Sequence, residues 1–296
     1  DPMHLACAFA ALVWSAAAIP LGLHTARTRD ATEMVVVWST ADRVASSVVY
    51  RPSGLPGPWE HAEGHSVTFT KGDFNACNKN NNSRASTLYS DPGWIHRAVL
   101  KGLLSSTNYT YIVSGAAQEF WLESPPSPTE EAVHFDAFGD WYDVPPGWRT
   151  VEEVHDDVLR REVSLVLHVG DICYACGNLT IWRDFFDRIQ PVASKVPWMP
   201  AIGNHEFDYR QQHWRPQWLQ AGDDSGGECG IPYFSYFPMP HPSNAWYSFD
   251  HGPVHFALIS TEHDFLEGSE QHTWLEQDLR SVDRTVTPWA IIGGHR

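Results

Sequence analysis

The pattern of hydrophobic and polar positions changes near residue 130. Before that point, short segments rich in Val, Thr and aromatic residues are separated by Gly, Pro and Asn, which is typical of antiparallel strands joined by turns. Residues 22–124 are therefore predicted to form an all-β sandwich, with a solvated polar loop at 78–83. The predicted strands are Met34–Thr40, Ser46–Arg51, Ser66–Thr70, Ile95–Leu100 and Tyr109–Ser114.

Residues 125–131, PPSPTEE, have the composition of a linker, and after them strands alternate with helices. This alternation indicates a layered α/β domain over residues 132–296. The predicted strands are His134–Phe138, Leu165–Val169, Trp198–Ile202, Val254–Ser260 and Trp289–Ile292. The predicted helices are Val151–Arg161, Ile181–Val192 and Ser269–Val282, the last capped by Ser269 and apolar at Trp274, Leu275 and Leu279.

Composition and charge narrow the classes of function. The 296 residues, 43% of them hydrophobic, suffice for about two domains with a packed core and argue against disorder. The net charge of −16 and the absence of a basic cluster in the sequence argue against nucleic-acid binding. An acidic chain that acts on an anionic phosphate needs a local positive charge, which a metal site can supply.

The first 18 residues are predicted to be a secretory signal peptide. The segment Met3–Ala18 is apolar, ends in small residues and is too short and Ala-rich for a membrane span. A buried first strand is the alternative interpretation. Asn-x-Ser/Thr triplets at Asn81, Asn108 and Asn178 fit a secreted glycoprotein. The sequence thus predicts an extracellular or secretory-pathway protein without a membrane span.

The cysteines fit the same compartment without specifying a pairing. Removal of a signal peptide would remove Cys7 and leave Cys77, Cys173, Cys176 and Cys229, which allow three pairings. Cys173 and Cys176 form one C-x-x-C motif, with neither a thioredoxin-like context nor a second pair. A disulfide or free thiols are therefore favoured over a redox or zinc site.

Polar residues follow four of the predicted α/β strands, and a glycine precedes the first polar residue in each place. The carboxyl ends of such strands are where α/β sheets bind ligands. Carboxylate, phenol and amide oxygens suit hard cations, and imidazole suits zinc or iron, so a metal site is predicted. The residues are Asp140, Asp171, Tyr174, Asn204, His205 and His295. His168, inside a strand, is predicted to be an ordinary surface or core residue rather than a ligand.

The blocks FGD, GDICY, GNHE and GGHR resemble the ordered motifs of the calcineurin-like metallophosphoesterases, and the Tyr of GDICY is the mark of the purple acid phosphatases. Longer stretches, including SDPGWIHRAVLKGL and SGGECGIPYFSYFPMP, resemble the larger, plant-type members. The resemblance covers residues 22–296. It implies an N-terminal fibronectin type III-like sandwich followed by a layered α/β/β/α metallophosphoesterase domain.

The resemblance also implies a dinuclear metal centre. Asp140 and Tyr174 would bind Fe(3+), with Tyr174 giving a charge-transfer colour, and Asp171 would bridge to a second ion. Asn204 and His295 would bind that second, divalent ion, which is iron, zinc or manganese. A bridging carboxylate holds two ions about 3.5–4 Å apart.

One further role and two departures follow from the same resemblance. His205 would contact the phosphate and help to protonate the leaving oxygen. Family members continue past GHR and add a G-H-x-H block with one more histidine for each metal, so this chain is expected to be an inactive fragment. The family usually has Asp-x-Gly at Asp140, whereas Trp141 and Tyr142 follow here. Asp136 and Asp143 are therefore alternatives to Asp140.

The expected function is that of an acid phosphatase acting on small-molecule phosphate monoesters. A phosphodiesterase or pyrophosphatase could use the same ligands, and a non-catalytic secreted binding protein on a decayed phosphatase scaffold is the alternative of another class. The sandwich is expected to be structural or to support a homodimer rather than to bind a partner or carbohydrate.

Overall fold

The computed structural model describes residues 20–77, 83–142, 145–209, 218 and 222–296. Several positions named in the sequence analysis therefore lie outside the described residues. They are the predicted signal segment with Cys7, most of the polar loop with Asn81, and Asp143.

The N-terminal half forms a sheet of seven strands, in the spatial order first, second, fifth, fourth, third, sixth and seventh. Every neighbouring pair is antiparallel. The predicted all-β domain is thereby confirmed. The strands are β1 (Leu21–Arg27), β2 (Met34–Thr40), β3 (Ser47–Pro52), β4 (Glu60–Val67), β5 (Trp94–Leu100), β6 (Asn108–Val113) and β7 (Phe120–Glu123).

The predicted strand Ser66–Thr70 was wrong in position. Strand β4 ends at Val67, and Thr70 instead caps the short helix α1 (Lys71–Phe74) by accepting a hydrogen bond from the backbone of Asp73. Only Ala62 of β4 is buried, so this strand carries almost no hydrophobic alternation. Strand β1 was missed for another reason: six of its seven residues are buried, but its sequence LGLHTAR has no run of Val, Ile or aromatic residues.

The second half contains two three-stranded sheets flanked by helices, as expected for the metallophosphoesterase fold. The first sheet is parallel, and the second pairs an antiparallel hairpin with one parallel strand. Its strands are β8 (Asp136–Phe138), β9 (Val166–Val169), β10 (Trp198–Ala201), β11 (Tyr247–His251), β12 (Val254–Leu258) and β13 (Trp289–Gly293). The remaining helices are α2 (Arg84–Leu88), α3 (Pro145–Leu159), α4 (Leu179–Ala193), α5 (Asn204–Phe207), α6 (Ile231–Tyr236) and α7 (Glu270–Ser281).

Aromatic side chains fill the core between the parallel sheet and α4. Trp182, Phe185 and Trp198 are fully buried, and burying each such side chain contributes about 1.5–3 kcal/mol. His168 lies among them, with its ring centroid 4.8 Å from that of Phe138. Burial lowers the pKa of His168 to about 3, so it is a neutral residue, and of the two predicted positions, surface or core, it occupies the core.

Polar contacts attach the N-terminal sheet to α4. The hydroxyl of Thr25 on β1 donates to the carbonyl of Ala193 at 3.0 Å, and the backbone N–H of Leu23 donates to Gln190 at 2.9 Å. The hydroxyl of Tyr111 on β6 donates to the carbonyl of Ser194 at 2.7 Å. The two halves therefore share a hydrogen-bonded interface.

Helix α7 docks mainly through polar side chains. The apolar face predicted for it is only partly buried, whereas Gln271 and Asp278 are fully buried. The side-chain amide of Gln271 accepts a hydrogen bond from the backbone N–H of Ser260 at 2.6 Å and donates to its carbonyl at 2.9 Å. This pairing satisfies a buried polar side chain, which is the condition for placing one in a core.

His255 on β12 connects the sheet to α7 through two carboxylates. Its Nδ1 lies 2.7 Å from Asp250, and its Nε2 lies 2.9 Å from Asp278. Asp278 also accepts from Ser248 at 2.5 Å and pairs with Arg29 at 3.2 Å. Burial alone would lower the pKa of His255, but the hydrogen bonds and charges of the two carboxylates outweigh it and raise this pKa to about 9.

We expect His255 to make stability fall as the pH rises. Its pKa is about 6.5 in the unfolded chain and about 9 in the folded one. Protonated His255 therefore stabilises the fold fully below about pH 6.5, and this stabilisation is lost as the pH rises through about 9. Urea unfolding at about pH 6 and about pH 9 should show that the free energy of unfolding of the wild type falls by on the order of 1 kcal/mol between the two. The His255→Gln variant should not show this fall. Equal pH slopes for the two proteins would contradict this.

Candidate metal centre

The strand ends of the second half converge at one edge. The loops that follow β8, β9, β10 and β13 meet there, and the imidazole Nδ1 of His295 lies 2.9 Å from the carbonyl of Val169, the last residue of β9. The structure brings all the sequence-predicted residues of the site to this edge. They are Asp140, Asp171, Tyr174, Asn204, His205 and His295.

Three of these residues have an unusual backbone conformation. Asp140, Asp171 and Tyr174 have positive φ angles of 56°, 49° and 50°. Such left-handed conformations cost roughly 1–2 kcal/mol each for residues other than glycine. Backbone hydrogen bonds offset part of this cost. The N–H of Asp140 donates to the backbone carbonyl of Gly170 at 3.2 Å, and the N–H of Trp141 donates to the backbone carbonyl of Asp171 at 3.1 Å. The strain is concentrated where side chains must turn toward a common point.

Two glycines allow the close approach of these loops. A Cβ on Gly170, whose φ is +84°, would lie 2.5 Å from the ring of His295. A Cβ on Gly203 would lie 2.4 Å from the backbone nitrogen of Asp171. Only residues without a side chain fit at these positions, so the glycines before the polar residues have a steric role.

Asp171 lies at the middle of the cluster and is only 3% exposed. Its Oδ1 accepts from the backbone N–H of His205 at 3.0 Å and lies 3.2 Å from Nε2 of His295. Its Oδ2 lies 3.9 Å from Nε2 of His205. Burial raises the pKa of Asp171, but the hydrogen bonds and charges of His295 and His205 lower it by more, so the net shift is downward.

His295 presents one ring nitrogen to the cluster. Its Nδ1 faces the Val169 carbonyl, so it carries the proton there, and its Nε2 faces Asn204 Oδ1 at 3.1 Å and Asp171. Burial lowers the pKa of His295, but Asp171 outweighs burial and raises it to about 9. An imidazole fixed by a carbonyl at one nitrogen is the usual arrangement of a metal-binding histidine.

Tyr174 and Asp140 form the other side of the cluster. The Tyr174 hydroxyl donates to Asp140 Oδ1 at 2.7 Å, and burial together with this hydrogen bond raises the pKa of the phenol. The alternative residue Asp136 lies within β8 and is not among the described residues that group as potential ligands.

The bulky residues after Asp140 point in different directions. Trp141 is buried: its indole N–H donates to the carbonyl of Gly147 at 2.6 Å, and its ring centroid lies 5.4 Å from that of Phe185. Tyr142 is 54% exposed, and its ring lies 5.1 Å from that of Tyr174. Trp141 therefore anchors this loop in the core, and Asp140 keeps its place beside Tyr174.

His205 lies beside the cluster rather than inside it. Its ring centroid is 4.3 Å from that of Tyr174, and its Nδ1 lies 3.3 Å from the thiol of Cys176. Cys176 and Cys173 are free thiols, and burial raises the pKa of the Cys176 thiol to about 11. A protonated thiol at Nδ1 leaves Nε2 of His205 directed toward Asp171.

Comparison with known proteins identifies the family and supports the fold. The family model described as purple acid phosphatase, N-terminal domain, matches residues 20–134, and that described as calcineurin-like phosphoesterase matches residues 133–296. The chain belongs to the purple acid phosphatase family. It is 40% identical to "Probable inactive purple acid phosphatase 9" of Arabidopsis thaliana over 70% of this chain and 36% of that protein.

Two other similar proteins are informative. A "Nucleotide pyrophosphatase/phosphodiesterase" of Hordeum vulgare is 32% identical over 61% of this chain and 51% of that protein. The structure of a purple acid phosphatase from yellow lupin (Lupinus luteus) seeds matches with a TM-score of 0.84 and 29% identity, covering 94% of this chain and 51% of that one. The chain spans between about a third and a half of the length of these relatives.

This member of the family has a supporting carboxylate that the sequence analysis missed. Glu206 is 1% exposed; its Oε2 accepts from the backbone N–H groups of Asp171 and Gly203, both at 2.9 Å, and its Oε1 accepts from Ile172 at 2.7 Å. Burial and the charge of Asp171 raise the pKa of Glu206 to about 8. The sequence signal that could have revealed this role is a Glu at the third position of a helix, where it can cap the helix start.

A second support was also missed. Residues 222–230, here called the tethered segment, are joined to the N-terminal half by a disulfide between Cys77 and Cys229. Glu228 in this segment is fully buried and accepts from the backbone N–H of Gly177 and the indole of Trp182, both at 3.0 Å. The segment therefore holds the loop that follows Tyr174.

The donor set fits a metal centre. Ligand atoms of Asp140, Asp171 and His295 lie within 4.8 Å of one another. Tyr174 and Asn204 add a phenol and an amide oxygen next to them. Carboxylate and amide oxygens suit hard cations and imidazole suits zinc or iron, so these residues could hold the dinuclear centre that the family implies.

Proposed function

We propose that the full-length protein is a metal-dependent acid phosphatase that hydrolyses small phosphate monoesters at a dinuclear centre. The observation that carries this proposal is the convergence of five potential ligands at one strand edge, with Asp171 in the middle. Membership of the purple acid phosphatase family supports the same reaction class.

The proposed ligands divide into two sets. Asp140 and Tyr174 would hold Fe(3+), Asn204 and His295 would hold a divalent iron, zinc or manganese ion, and Asp171 would bridge them. When bound, the two ions would activate a water molecule and neutralise charge on the phosphate. Asp171 suits the bridging role because its ligand atom lies within 4.8 Å of ligand atoms of both Asp140 and His295, which belong to different sets.

His205 would act on the leaving group. Its Nε2 is directed toward Asp171 while Cys176 occupies its Nδ1, so a proton on Nε2 would be available at the open side of the cluster. Protonation of the leaving oxygen by such a group typically contributes about 10²–10⁴-fold to the rate. The Tyr174 ring beside His205 limits how far the imidazole can turn.

Two alternatives are supported by specific observations. The relative that is 40% identical is named probable inactive, which favours a non-catalytic binding protein on the same scaffold. The Hordeum vulgare relative is named for pyrophosphatase and phosphodiesterase activity, which favours a different ester at the same centre.

The compartment remains part of the proposal. A disulfide such as Cys77–Cys229 persists in oxidising environments, which supports secretion. Among the described residues, no helix is long and apolar enough to cross a membrane. The acidic net charge of −16 does not suit nucleic acid as a partner, and a homodimer stays a prediction.

The proposal is tested by metal analysis, absorption spectra and substrate preference of the full-length protein. We expect about two metal ions per chain, a visible absorption band that Tyr174→Phe loses, and faster hydrolysis of p-nitrophenyl phosphate than of its bis-ester. Tyr142→Phe is the matched control and should keep the band. The Tyr142 ring lies beside that of Tyr174, but the phenol that hydrogen-bonds Asp140 is that of Tyr174. A metal-free, inactive wild type would support the binding protein, and bis-ester preference would support the phosphodiesterase.

A further inference from the structure

The side-chain amide of Asn204 is held from both ends. Its Oδ1 lies 3.1 Å from Nε2 of His295, inside the cluster, and its Nδ2 donates to Oδ2 of Asp224 at 3.1 Å. Only the oxygen end of an amide can bind a cation, so the orientation of this group decides whether Asn204 can serve as a ligand.

We propose that Asp224 is a positioning residue that keeps the amide oxygen of Asn204 directed into the metal centre. This assignment rests on the proposed function, because the ligand role of Asn204 belongs to it. An ionised carboxylate only accepts hydrogen bonds. If the amide turned over, its oxygen would face the carboxylate of Asp224 and its NH₂ would face the metal, and both contacts would be unfavourable.

The tethered segment fixes Asp224 through its backbone. The N–H of Ser225 donates to the carbonyl of Asp208 at 3.0 Å, and the carbonyl of Gly226 accepts from Ala85 of α2 at 3.0 Å. The disulfide Cys77–Cys229 closes the other end of the segment. Asp224 is therefore held against the centre by contacts from both halves of the protein.

The exposed neighbour Asp223 offers a matched control. It has the same charge and lies in the same segment, but the hydrogen bond to Asn204 is made by Asp224. A purely electrostatic effect of the segment would be reduced by either substitution. A positioning effect would be lost only with Asp224.

The first experiment compares Zn²⁺ affinity of the full-length wild type, Asp224→Ala and Asp223→Ala by competition with a chelator. Loss of a partner that orients a ligand typically weakens metal binding by about 10–100-fold, and we expect this for Asp224→Ala only. Asp223→Ala should stay within about twofold of the wild type, as for a surface substitution. Equal affinities of wild type and Asp224→Ala would overturn the assignment.

A second measurement does not depend on metal. In the metal-free protein labelled with ¹⁵N-asparagine, the side-chain amide signals of Asn204 are identified by their loss in Asn204→Asp. We expect Asp224→Ala to shift these signals and speed their hydrogen exchange, and Asp223→Ala to leave them unchanged. Unchanged Asn204 signals in Asp224→Ala would overturn the assignment.

The two measurements separate this inference from the proposed function. A wild type that takes up no Zn²⁺ contradicts the proposed function, and the amide signals then decide the role of Asp224 alone. If Asp224→Ala does not fold, Asp224→Asn replaces it, because it keeps the size of the side chain while allowing either amide orientation. We expect its affinity loss in the same direction, and an undiminished affinity would overturn the assignment.

Discussion

Asp171→Asn in the full-length protein is expected to abolish phosphate-ester hydrolysis and to reduce the bound metal. Asp171 is buried at the middle of the cluster and is the proposed bridge between two ions. An amide lacks the negative charge and offers only one oxygen, so it cannot serve both ions. Metal ions contribute several kcal/mol to such reactions, and about 1.4 kcal/mol is a factor of ten, so we expect a loss of about 1,000-fold or more.

The measurement is kcat/KM for p-nitrophenyl phosphate together with metal content by mass spectrometry. Asp184→Asn, which removes an exposed carboxylate on α4, is the control and should behave as the wild type. Asp171→Asn also keeps the size of the side chain, so circular dichroism should be unchanged. An Asp171→Asn protein that retained both its metal and its activity would exclude Asp171 as the bridge.

Loss of the disulfide is expected to have the largest effect on stability. Cys77 and Cys229 are 152 residues apart in sequence, and both are buried. A cross-link over such a distance restricts the unfolded chain strongly, and removing a native disulfide typically costs about 2–5 kcal/mol. We expect the double variant Cys77→Ser, Cys229→Ser to lose that much free energy of unfolding.

Urea unfolding of the double variant and of Cys176→Ser measures this effect. Cys176 is a free, half-buried thiol, so its replacement controls for the loss of a sulfur atom and should change the free energy of unfolding by no more than about 1 kcal/mol. The double variant should also bind Zn²⁺ more weakly, because the disulfide holds the segment that carries Asp224. A double variant as stable as the wild type would show that the hydrogen bonds of the segment suffice without the cross-link.

Much of the fold could be predicted from the sequence wherever a strand is rich in β-branched and aromatic residues. Strand β2 coincides with its predicted bounds, and β3, β5 and β6 differ by one residue at their ends. Strands β1 and β4 were not predicted in place: β1 is buried but lacks the Val and aromatic residues that mark the equally buried β2, and β4 is almost wholly exposed and shows no alternation. The local pattern reports burial only when the two faces differ.

The sequence by itself determined which residues could carry the chemistry. Each candidate ligand lies within about five residues of the end of a strand, so its place near the strand end is a local property of the chain. Glycine is needed at Gly170 and Gly203 because a Cβ there would meet His295 or Asp171. Only the tertiary structure decided what surrounds these ligands. Asp224, Glu228 and the pairing of Cys77 with Cys229 depend on contacts between distant parts of the chain. No local pattern encodes such contacts, because they form only when two packed halves bring the segments together.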